Sequence, residues 1–192
     1  MSYRNGTYIA FHANNTTNFI RSDMKYFNLL KAWNEKESID FRFVNSHEKA
    51  SAVRDTSKKE TLIRSLKTRL RNSKNMLLIL GNTTRFDTDW IPFEIEYGVD
   101  KCGLPIIVAY TNYSNYILKP SLLEYLWPEA LKSRIETNTA KTMHIPFKQV
   151  PIISSIKDLD AFNMPPYTLT NYTKQWYENN GVMVIDFLFQ NY

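Results

Sequence analysis

Met76-Leu77-Leu78-Ile79-Leu80 is a continuous apolar run that ends at the turn sequence Gly81-Asn82-Thr83-Thr84. A strand with one face in water alternates polar and apolar residues, whereas a strand buried on both faces is apolar throughout. Leu104–Tyr110 has the same apolar character, and the shorter runs Thr7–Phe11 and Ile39–Val44 come earlier in the chain. These four segments predict strands of a sheet that is covered on both sides.

Segments with helical patterns separate the predicted strands. One helix is expected to open at Ser22, a good N-cap residue, and a basic amphipathic helix to end near Asn72. A further helix is expected from about Asp89, as its cap, to Lys101, before Gly103. Strand and helix therefore alternate, which predicts an α/β fold with a flavodoxin-like, doubly wound parallel sheet of about five strands and helices on both faces.

The second half of the chain is less regular. One helix is expected within Pro120–Ile135, a fifth strand at Met143–Phe147 and a short helix at Ser154–Phe162. The aromatic segment Thr170–Tyr192 is predicted to be helical and to pack on the core. An edge strand at 182–189 is the alternative for the end of that segment.

Length and composition indicate one globular domain. The chain has 192 residues, of which 43% are hydrophobic and 22% charged, as in folded proteins. Because no repeat or linker-like stretch divides it, we expect a single domain over residues 1–192. Its core is placed at about 7–150, with a C-terminal aromatic extension at about 151–192 packed on that core.

No part of the sequence has the features of a membrane or secreted protein. No apolar run approaches the roughly 20 residues of a membrane span, and the first residues lack the apolar core of a signal peptide. We therefore expect a soluble, cytoplasmic protein with no membrane partner.

The net charge is +5, and the basic residues are densest between Arg54 and Lys74. There they alternate with Leu62, Leu66 and Leu70 at helical spacing, which favours a solvated helix face over a surface for nucleic acid or an acidic partner. Nucleic acid is therefore not expected as a partner.

The sequence lacks the motifs of several well-known kinds of binding and catalytic site. The sequence has neither G-x-G-x-x-G nor G-x-x-x-x-G-K-[ST], which argues against a Rossmann dehydrogenase or a P-loop enzyme. The zinc-binding motif H-E-x-x-H is also missing, and the three histidines lie far apart in the sequence. The single cysteine, Cys102, excludes an intrachain disulfide. No metal site is expected, and Cys102 is interpreted as a core or helix-end residue.

Ligands of an open parallel sheet bind beyond the carboxyl ends of its strands. Three of the four predicted strand ends are rich in Asn and Thr, which can hydrogen-bond ribose hydroxyls and phosphates but are also ordinary turn residues. Just beyond one such end, Trp90 and Glu94 share a helical face, while Glu96 points elsewhere and is expected to be solvated or paired. Spacing alone leaves Glu94 either catalytic or a helix-start acid favoured by the dipole.

Two motifs make the chain resemble a known family. Tyr8-Ile9-Ala10-Phe11-His12 resembles F-I-S-Y-x, the first strand of TIR (Toll/interleukin-1 receptor) domains. Asp89-Trp90-x-x-x-Glu94-Ile95 is similar to the D-W-x-x-x-E-[IL] segment of NAD-cleaving TIR domains, whose glutamate is catalytic. The resemblance covers about residues 7–110 and is greatest to TIR proteins of the Thoeris anti-phage defence system. Two departures are the loop Asn45–Asp55, without the usual proline and glycine pattern, and His12, where arginine is common.

The resemblance implies that Glu94 cleaves NAD⁺ at the nicotinamide–ribose bond, so that NAD⁺ is a substrate and no cofactor is needed. It further implies a cyclic ADP-ribose-type product that activates a separate NAD-consuming effector of the same system, and self-association that assembles the pocket. The substrate-binding residues expected from the strand-end loops and the glutamate helix are Phe11, His12, Asn14, Asn15, Asn45, Asn82, Trp90 and Phe93.

Two other functions stay open at this point. One is a non-enzymatic TIR interaction module, in which Glu94 only starts a helix. The other is an enzyme like the nucleoside deoxyribosyltransferases, which use a similar sheet and a glutamate nucleophile. The residues alone also leave open whether water or a group of the same molecule captures the ribose, giving ADP-ribose or a cyclic isomer.

Overall fold

A parallel sheet organises the chain. The computed structural model describes residues 4–12, 24–37, 41–43 and 56–182, and within them the sheet has six strands in the spatial order β2-β1-β3-β4-β5-β6. All neighbouring strands are parallel. The strands are β1 (Gly6–Ala10), β2 (Phe41–Phe43), β3 (Ser73–Leu80), β4 (Ile106–Tyr110), β5 (Thr142–Pro146) and β6 (Leu169–Asn171).

Helices connect these strands and confirm the predicted flavodoxin-like α/β fold. The strand order 2-1-3-4-5 is that of the flavodoxin-like sheet, and the short β6 extends it beyond β5. In the described part of the chain the α-helices are α1 (Met24–Glu37), α2 (Thr56–Arg71), α3 (Trp90–Glu96), α4 (Glu129–Glu136), α5 (Gln149–Asp158) and α6 (Lys174–Asn179). A π-helical turn, Tyr97–Lys101, continues α3, and short 3₁₀ helices lie at Thr84–Phe86 and Pro120–Leu126.

The four strands β1, β3, β4 and β5 are buried on both faces, as the apolar runs predicted. Side chains alternate along each strand, so Tyr8 and Leu78 pack on one side of the sheet and Ile9 and Leu77 on the other. Residues of α2, α3 and α4 cover the first side, which we call the α3 face, and residues of α1 and α5 cover the second. Glu94, which is buried on α3, therefore packs against the side chains of the α3 face.

The basic helix α2 is amphipathic, as predicted. Leu62, Leu66 and Leu70 are buried on the α3 face, whereas Lys58 and Arg64 are exposed. The predicted start of α1 at Ser22 and the loop Asn45–Asp55 lie outside the described residues.

The two helices predicted in the second half are present, but with bounds that differ from the prediction. The helix expected within Pro120–Ile135 is α4, at Glu129–Glu136, and the 3₁₀ helix Pro120–Leu126 precedes it. The two are separated at Trp127, which is extended (φ −73°, ψ 136°) because a residue before proline, here Pro128, disfavours helical dihedrals. The helix expected at Ser154–Phe162 instead runs from Gln149 to Asp158. Pro151 lies in its first turn, where a missing N–H group has no cost.

The C-terminal aromatic segment begins as the strand β6 and continues into α6, which is less helix than we predicted. Tyr177 is fully buried and its ring stacks on that of Tyr116, with centroids 4.7 Å apart and planes 4° apart. Residues 183–189, and with them the proposed edge strand, lie outside the described residues. Among the residues that the structure does describe, every helix is too short or too polar to cross a lipid bilayer.

Candidate functional site

The candidate site lies at the switch point of the sheet. The chain passes from β1 to its outer neighbour β2 and then returns to β3 on the other side of β1. In such sheets the crevice between the two diverging connections receives the ligand. Here the segments that enter this crevice are Phe11–His12 after β1 and Gly81–Asp87 after β3.

Asp87 joins the two sides of the crevice. Its Oδ1 accepts backbone N–H hydrogen bonds from Asp89 (3.0 Å), Trp90 (2.8 Å) and Ile91 (3.3 Å). Its Oδ2 lies 3.8 Å from Nε2 of His12. Asp87 therefore caps α3 and holds the start of that helix beside the end of β1.

Asp89 occupies the N-cap position, as predicted, but Asp87 supplies the capping side chain. Asp89 is exposed and its side chain makes no capping hydrogen bond. Asp87 occupies that role because the extended backbone at Asp87 (φ −72°, ψ 117°) leaves its carboxylate beside three unpaired N–H groups of the first turn.

A fully buried threonine shapes the turn between β3 and Asp87. The Oγ1 atom of Thr84 accepts a hydrogen bond of 2.8 Å from the backbone N–H of Gly81. Asn82, one of the predicted binding residues, is exposed on this turn. Its role in binding stays a prediction.

Glu94 lies in the second turn of α3 and is fully buried, with an exposed fraction of 0%. The hydroxyl of Tyr8, a fully buried residue of β1, donates a 2.6 Å hydrogen bond to Oε1 of Glu94. A hydrogen bond this short is typical of a neutral donor on a charged acceptor. The contact links the middle of β1 to α3 across the α3 face.

The environment of Tyr8 keeps its proton in place. Burial raises the pKa of Tyr8 well above its ordinary value of 10.0, and the nearby charge of Glu94 and the hydrogen bond to it raise the pKa further. The positive charge of Arg69 acts weakly in the opposite direction. Tyr8 is therefore a protonated donor at neutral pH.

The aromatic residues around Glu94 differ in their placement. Trp90, one turn before Glu94, is only 6% exposed, and Nζ of Lys59 lies 5.9 Å from the centre of its indole ring. Phe93 is half-buried and stacks on Tyr97 with ring centres 6.0 Å apart. Trp90 therefore shares a helix face with Glu94, whereas the ring of Phe93 stacks on Tyr97.

The remaining predicted binding residues are distributed as follows. Phe11 is fully buried on the face opposite to Glu94, where its ring stacks on Phe27 at 5.6 Å. His12 is largely buried at the crevice, beside Asp87. Asn14, Asn15 and Asn45 lie outside the described residues. For all of them, contact with substrate stays a prediction.

Glu96 is exposed and lies 3.9 Å from Arg134, as expected for a solvated or paired residue. Arg134 also binds Asp100 through two hydrogen bonds, of 3.0 Å and 2.5 Å. The two glutamates of α3 thus have different surroundings: Glu94 faces the sheet and Glu96 faces α4.

Sequence analysis did not identify Tyr8 and Asp87 as site residues. The alternation of β1 could have placed Tyr8 on the same face as the helix after β3, since a tyrosine hydroxyl inside an apolar strand needs a partner. Asp87 carried the ordinary signal of a capping residue, but Asp89 carried the same signal.

A second buried polar cluster lies further along the α3 face. Nε1 of Trp127 donates to the hydroxyl of Tyr110 (2.7 Å), and that hydroxyl lies 2.7 Å from Nδ1 of His144. Nε2 of His144 lies 2.8 Å from Oγ1 of Thr142, which itself donates to the carbonyl of Thr168. Because Thr142 uses its own proton on Thr168, His144 donates from Nε2 and accepts from Tyr110 at Nδ1.

This cluster stabilises the fold and does not resemble a metal site. Burial lowers the pKa of His144 from 6.5 to about 3, so the ring is neutral. Within the described part of the chain, no three His, Cys, Asp or Glu side chains are grouped so that they would bind a metal ion.

Comparison with known protein families identifies the segment that carries the site. The model of the family described as Thoeris protein ThsB, TIR-like domain, matches residues 8–116, which is more than half of the chain. The matched segment begins in β1 and extends past β4, so it includes Tyr8, His12, Asp87 and Glu94.

Proposed function

Because this chain belongs to the ThsB TIR-like family of Thoeris proteins, we propose that it cleaves NAD⁺ at the nicotinamide–ribose bond with Glu94 as the catalytic residue. The observation that supports this most is the placement of Glu94. Its carboxylate is buried on α3, the helix that starts at the switch point, shares a helix face with Trp90 and accepts a hydrogen bond from Tyr8. A carboxylate that only starts a helix would be expected at the surface.

The proposed reaction needs little acid catalysis. The nicotinamide of NAD⁺ is a cationic leaving group, and when the bond from C1′ to its nitrogen breaks, the electron pair neutralises the ring. The ribose then carries oxocarbenium-like positive charge, which a nearby carboxylate stabilises, and hydrogen bonds from the ribose hydroxyls to that carboxylate hold the sugar in place. In a buried site this interaction is stronger than in water.

The group that captures the ribosyl cation determines the product and therefore the biological role. Addition of water at C1′, with loss of a proton, gives ADP-ribose. Attack by a nucleophilic group of the same molecule, again with loss of a proton, gives a cyclic ADP-ribose isomer. We favour the second outcome because a Thoeris TIR protein works with other components of its system, and a diffusible cyclic product would activate a separate NAD-consuming effector.

Access to Glu94 requires movement. Since its side chain is fully covered, NAD⁺ reaches the carboxylate only if the residues above it shift when substrate binds or when copies of the chain associate. Self-association would then raise activity, and the specific activity would increase with protein concentration.

Lys59 would contact the diphosphate of NAD⁺ in the proposed complex. In a parallel sheet each helix starts on the side of the strand carboxyl ends, so the first turn of α2 lies at the same edge as the start of α3. The contact between Nζ of Lys59 and the ring of Trp90 confirms that the two helix starts are close. Trp90 would stack on the substrate while the ammonium group of Lys59 meets the negative diphosphate.

The test is mass-resolved chromatography of NAD⁺ incubated with the wild-type protein, Glu94→Gln and Glu96→Gln. Glu96→Gln makes the same chemical change two residues along the same helix, at an exposed position. We expect products from the wild type and Glu96→Gln, and a loss of at least about 100-fold in Glu94→Gln. A Glu94-dependent product with the mass of NAD⁺ minus nicotinamide identifies a cyclase, and Glu94-dependent ADP-ribose alone identifies a hydrolase. Equal activity of the wild type and Glu94→Gln would contradict the assignment.

A further inference from the structure

We propose that Tyr8 is a positioning residue, whose hydroxyl holds the carboxylate of Glu94 in the orientation and the ionised form that the cleavage of NAD⁺ requires. This inference rests on the proposed function, since it assigns a role at the same site. Tyr8 is not proposed to touch the substrate, and its effect passes through Glu94.

The geometry supports positioning because the donor is rigid and the acceptor is not. Tyr8 lies in β1, a strand bordered on both sides by β2 and β3, and its side chain is fully buried. A glutamate side chain rotates about three covalent bonds. The 2.6 Å hydrogen bond from Tyr8 to one of its oxygens therefore restricts the whole carboxylate. The contact joins residues 86 apart in the chain, and it therefore ties α3 to the centre of the sheet.

The hydroxyl of Tyr8 also affects the charge of Glu94, separately from its orientation. Burial favours the neutral form of a carboxylic acid, and a neutral acid would stabilise a ribosyl cation poorly. A hydrogen bond donated to the carboxylate favours the ionised form, and Tyr8 is a donor that keeps its own proton. The bond thus offsets part of the cost of burying the charge of Glu94.

Three elements packed near this pair carry charged groups. From α2, the charge of Arg69 acts on Tyr8. From α4, Arg134 pairs with Asp100 and Glu96, on the outer side of the α3 helix and its π turn. At the crevice, Asp87 uses one oxygen to cap α3 and lies near His12 with the other.

A purely structural role would need only the aromatic ring. The hydroxyl is therefore the feature to test. Tyr8→Phe removes it and keeps the ring.

The matched control is Tyr110→Phe. Tyr110 is also fully buried, faces the same side of the sheet and hydrogen-bonds through its hydroxyl, but its partners are Trp127 and His144. This variant reports the effect of losing a buried hydroxyl that does not touch Glu94.

For Tyr8→Phe we expect kcat for NAD⁺ cleavage to fall about 10- to 100-fold, as for loss of a hydrogen bond to a charged group, with KM changed less than about 3-fold. The acid limb of the pH–kcat profile should move to higher pH by about one unit, because the carboxylate then protonates more easily. Tyr110→Phe should keep the wild-type pH profile. A Tyr8→Phe variant with kcat and acid limb like those of the wild type would overturn the inference.

A second readout separates this inference from the proposed function. In protein labelled with ¹³C at glutamate carboxyl groups, the Glu94 signal is identified by its loss in Glu94→Gln, and its titration is followed without NAD⁺. We expect that titration to move to higher pH in Tyr8→Phe and to stay unchanged in Tyr110→Phe. Failure of the wild type to cleave NAD⁺ would refute the proposed function, while an unmoved titration in Tyr8→Phe would refute the role of Tyr8. If Tyr8→Phe does not fold, 3-fluorotyrosine at position 8, a stronger donor, should move the titration to lower pH, and no movement would count against the role.

Discussion

His144→Gln should make the stability of the protein less sensitive to acid. Burial lowers the pKa of His144 from 6.5 to about 3 in the folded protein. Between these values the unfolded chain binds a proton that the folded chain does not, so the stability contributed by the neutral ring is complete above pH 6.5 and is lost as the pH falls toward 3. The loss is about 1.4 kcal/mol per pH unit within that window, or about 2 kcal/mol between pH 7.5 and pH 5.0.

The variant removes the titrating imidazole of His144 and, with it, the hydrogen bond between Nδ1 of His144 and the hydroxyl of Tyr110. Near pH 7.5 we expect His144→Gln to be less stable than the wild type by about 1–3 kcal/mol, because the hydroxyl of Tyr110 loses its acceptor while the amide can still donate to Thr142. By pH 5.0 the difference should shrink by about 2 kcal/mol, since only the wild type carries the titrating imidazole.

The assay is urea-induced unfolding at 25 °C at four pH values from 7.5 to 5.0, with the free energy of unfolding extrapolated to water. The other titrating groups are common to both proteins and cancel in the difference. A difference that stays constant within about 0.5 kcal/mol over this range would refute the reasoning, because it would mean that His144 takes up its proton without unfolding.

Two further predictions concern the crevice. Asp87→Ala should lower the free energy of unfolding by about 1–2 kcal/mol through loss of the α3 cap, whereas Asp89→Ala should change it by less than about 0.5 kcal/mol; equal effects in thermal or urea unfolding would contradict the capping assignment. Lys59→Gln should raise KM for NAD⁺ about 3- to 10-fold with kcat within 2-fold, because the contact with the diphosphate is made equally in the ground and transition states. Steady-state kinetics measure this, with the exposed Lys101→Gln as control, and equal KM values for the two variants would exclude Lys59 from the binding site.

The parts of the fold that were predictable are those with local causes. The Met76–Leu80 part of β3 and the whole of β4 are apolar because both of their faces are buried, and this pattern is visible in five consecutive residues of each strand. The bounds of the helices in the second half were harder to predict, because Pro128 directly precedes one helix while Pro151 lies in the first turn of another. Which of the two happens depends on the neighbouring packing, which a short window does not contain.

The site was predictable to a smaller extent. Glu94 could be proposed because its motif and its spacing to Trp90 are local, and its catalytic role stays a prediction. The structure adds its burial, which the sequence does not show. The bond from Tyr8 joins two residues that are 86 positions apart, so only the completed sheet reveals it. The capping side chain of α3 was assigned to Asp89 instead of Asp87 because two acids precede the helix and the backbone of the turn selects between them.

Release of nicotinamide from NAD⁺, measured side by side for concentrated wild-type protein, Glu94→Gln and Glu96→Gln, tests the central claim most directly. The wild type and Glu96→Gln should release nicotinamide at rates that agree within about 2-fold, and Glu94→Gln should be at least about 100-fold slower while unfolding cooperatively like the wild type. Nicotinamide release that survives Glu94→Gln, or a wild type that releases none even in extract from phage-infected cells, would contradict the account and favour a TIR module that acts by binding alone.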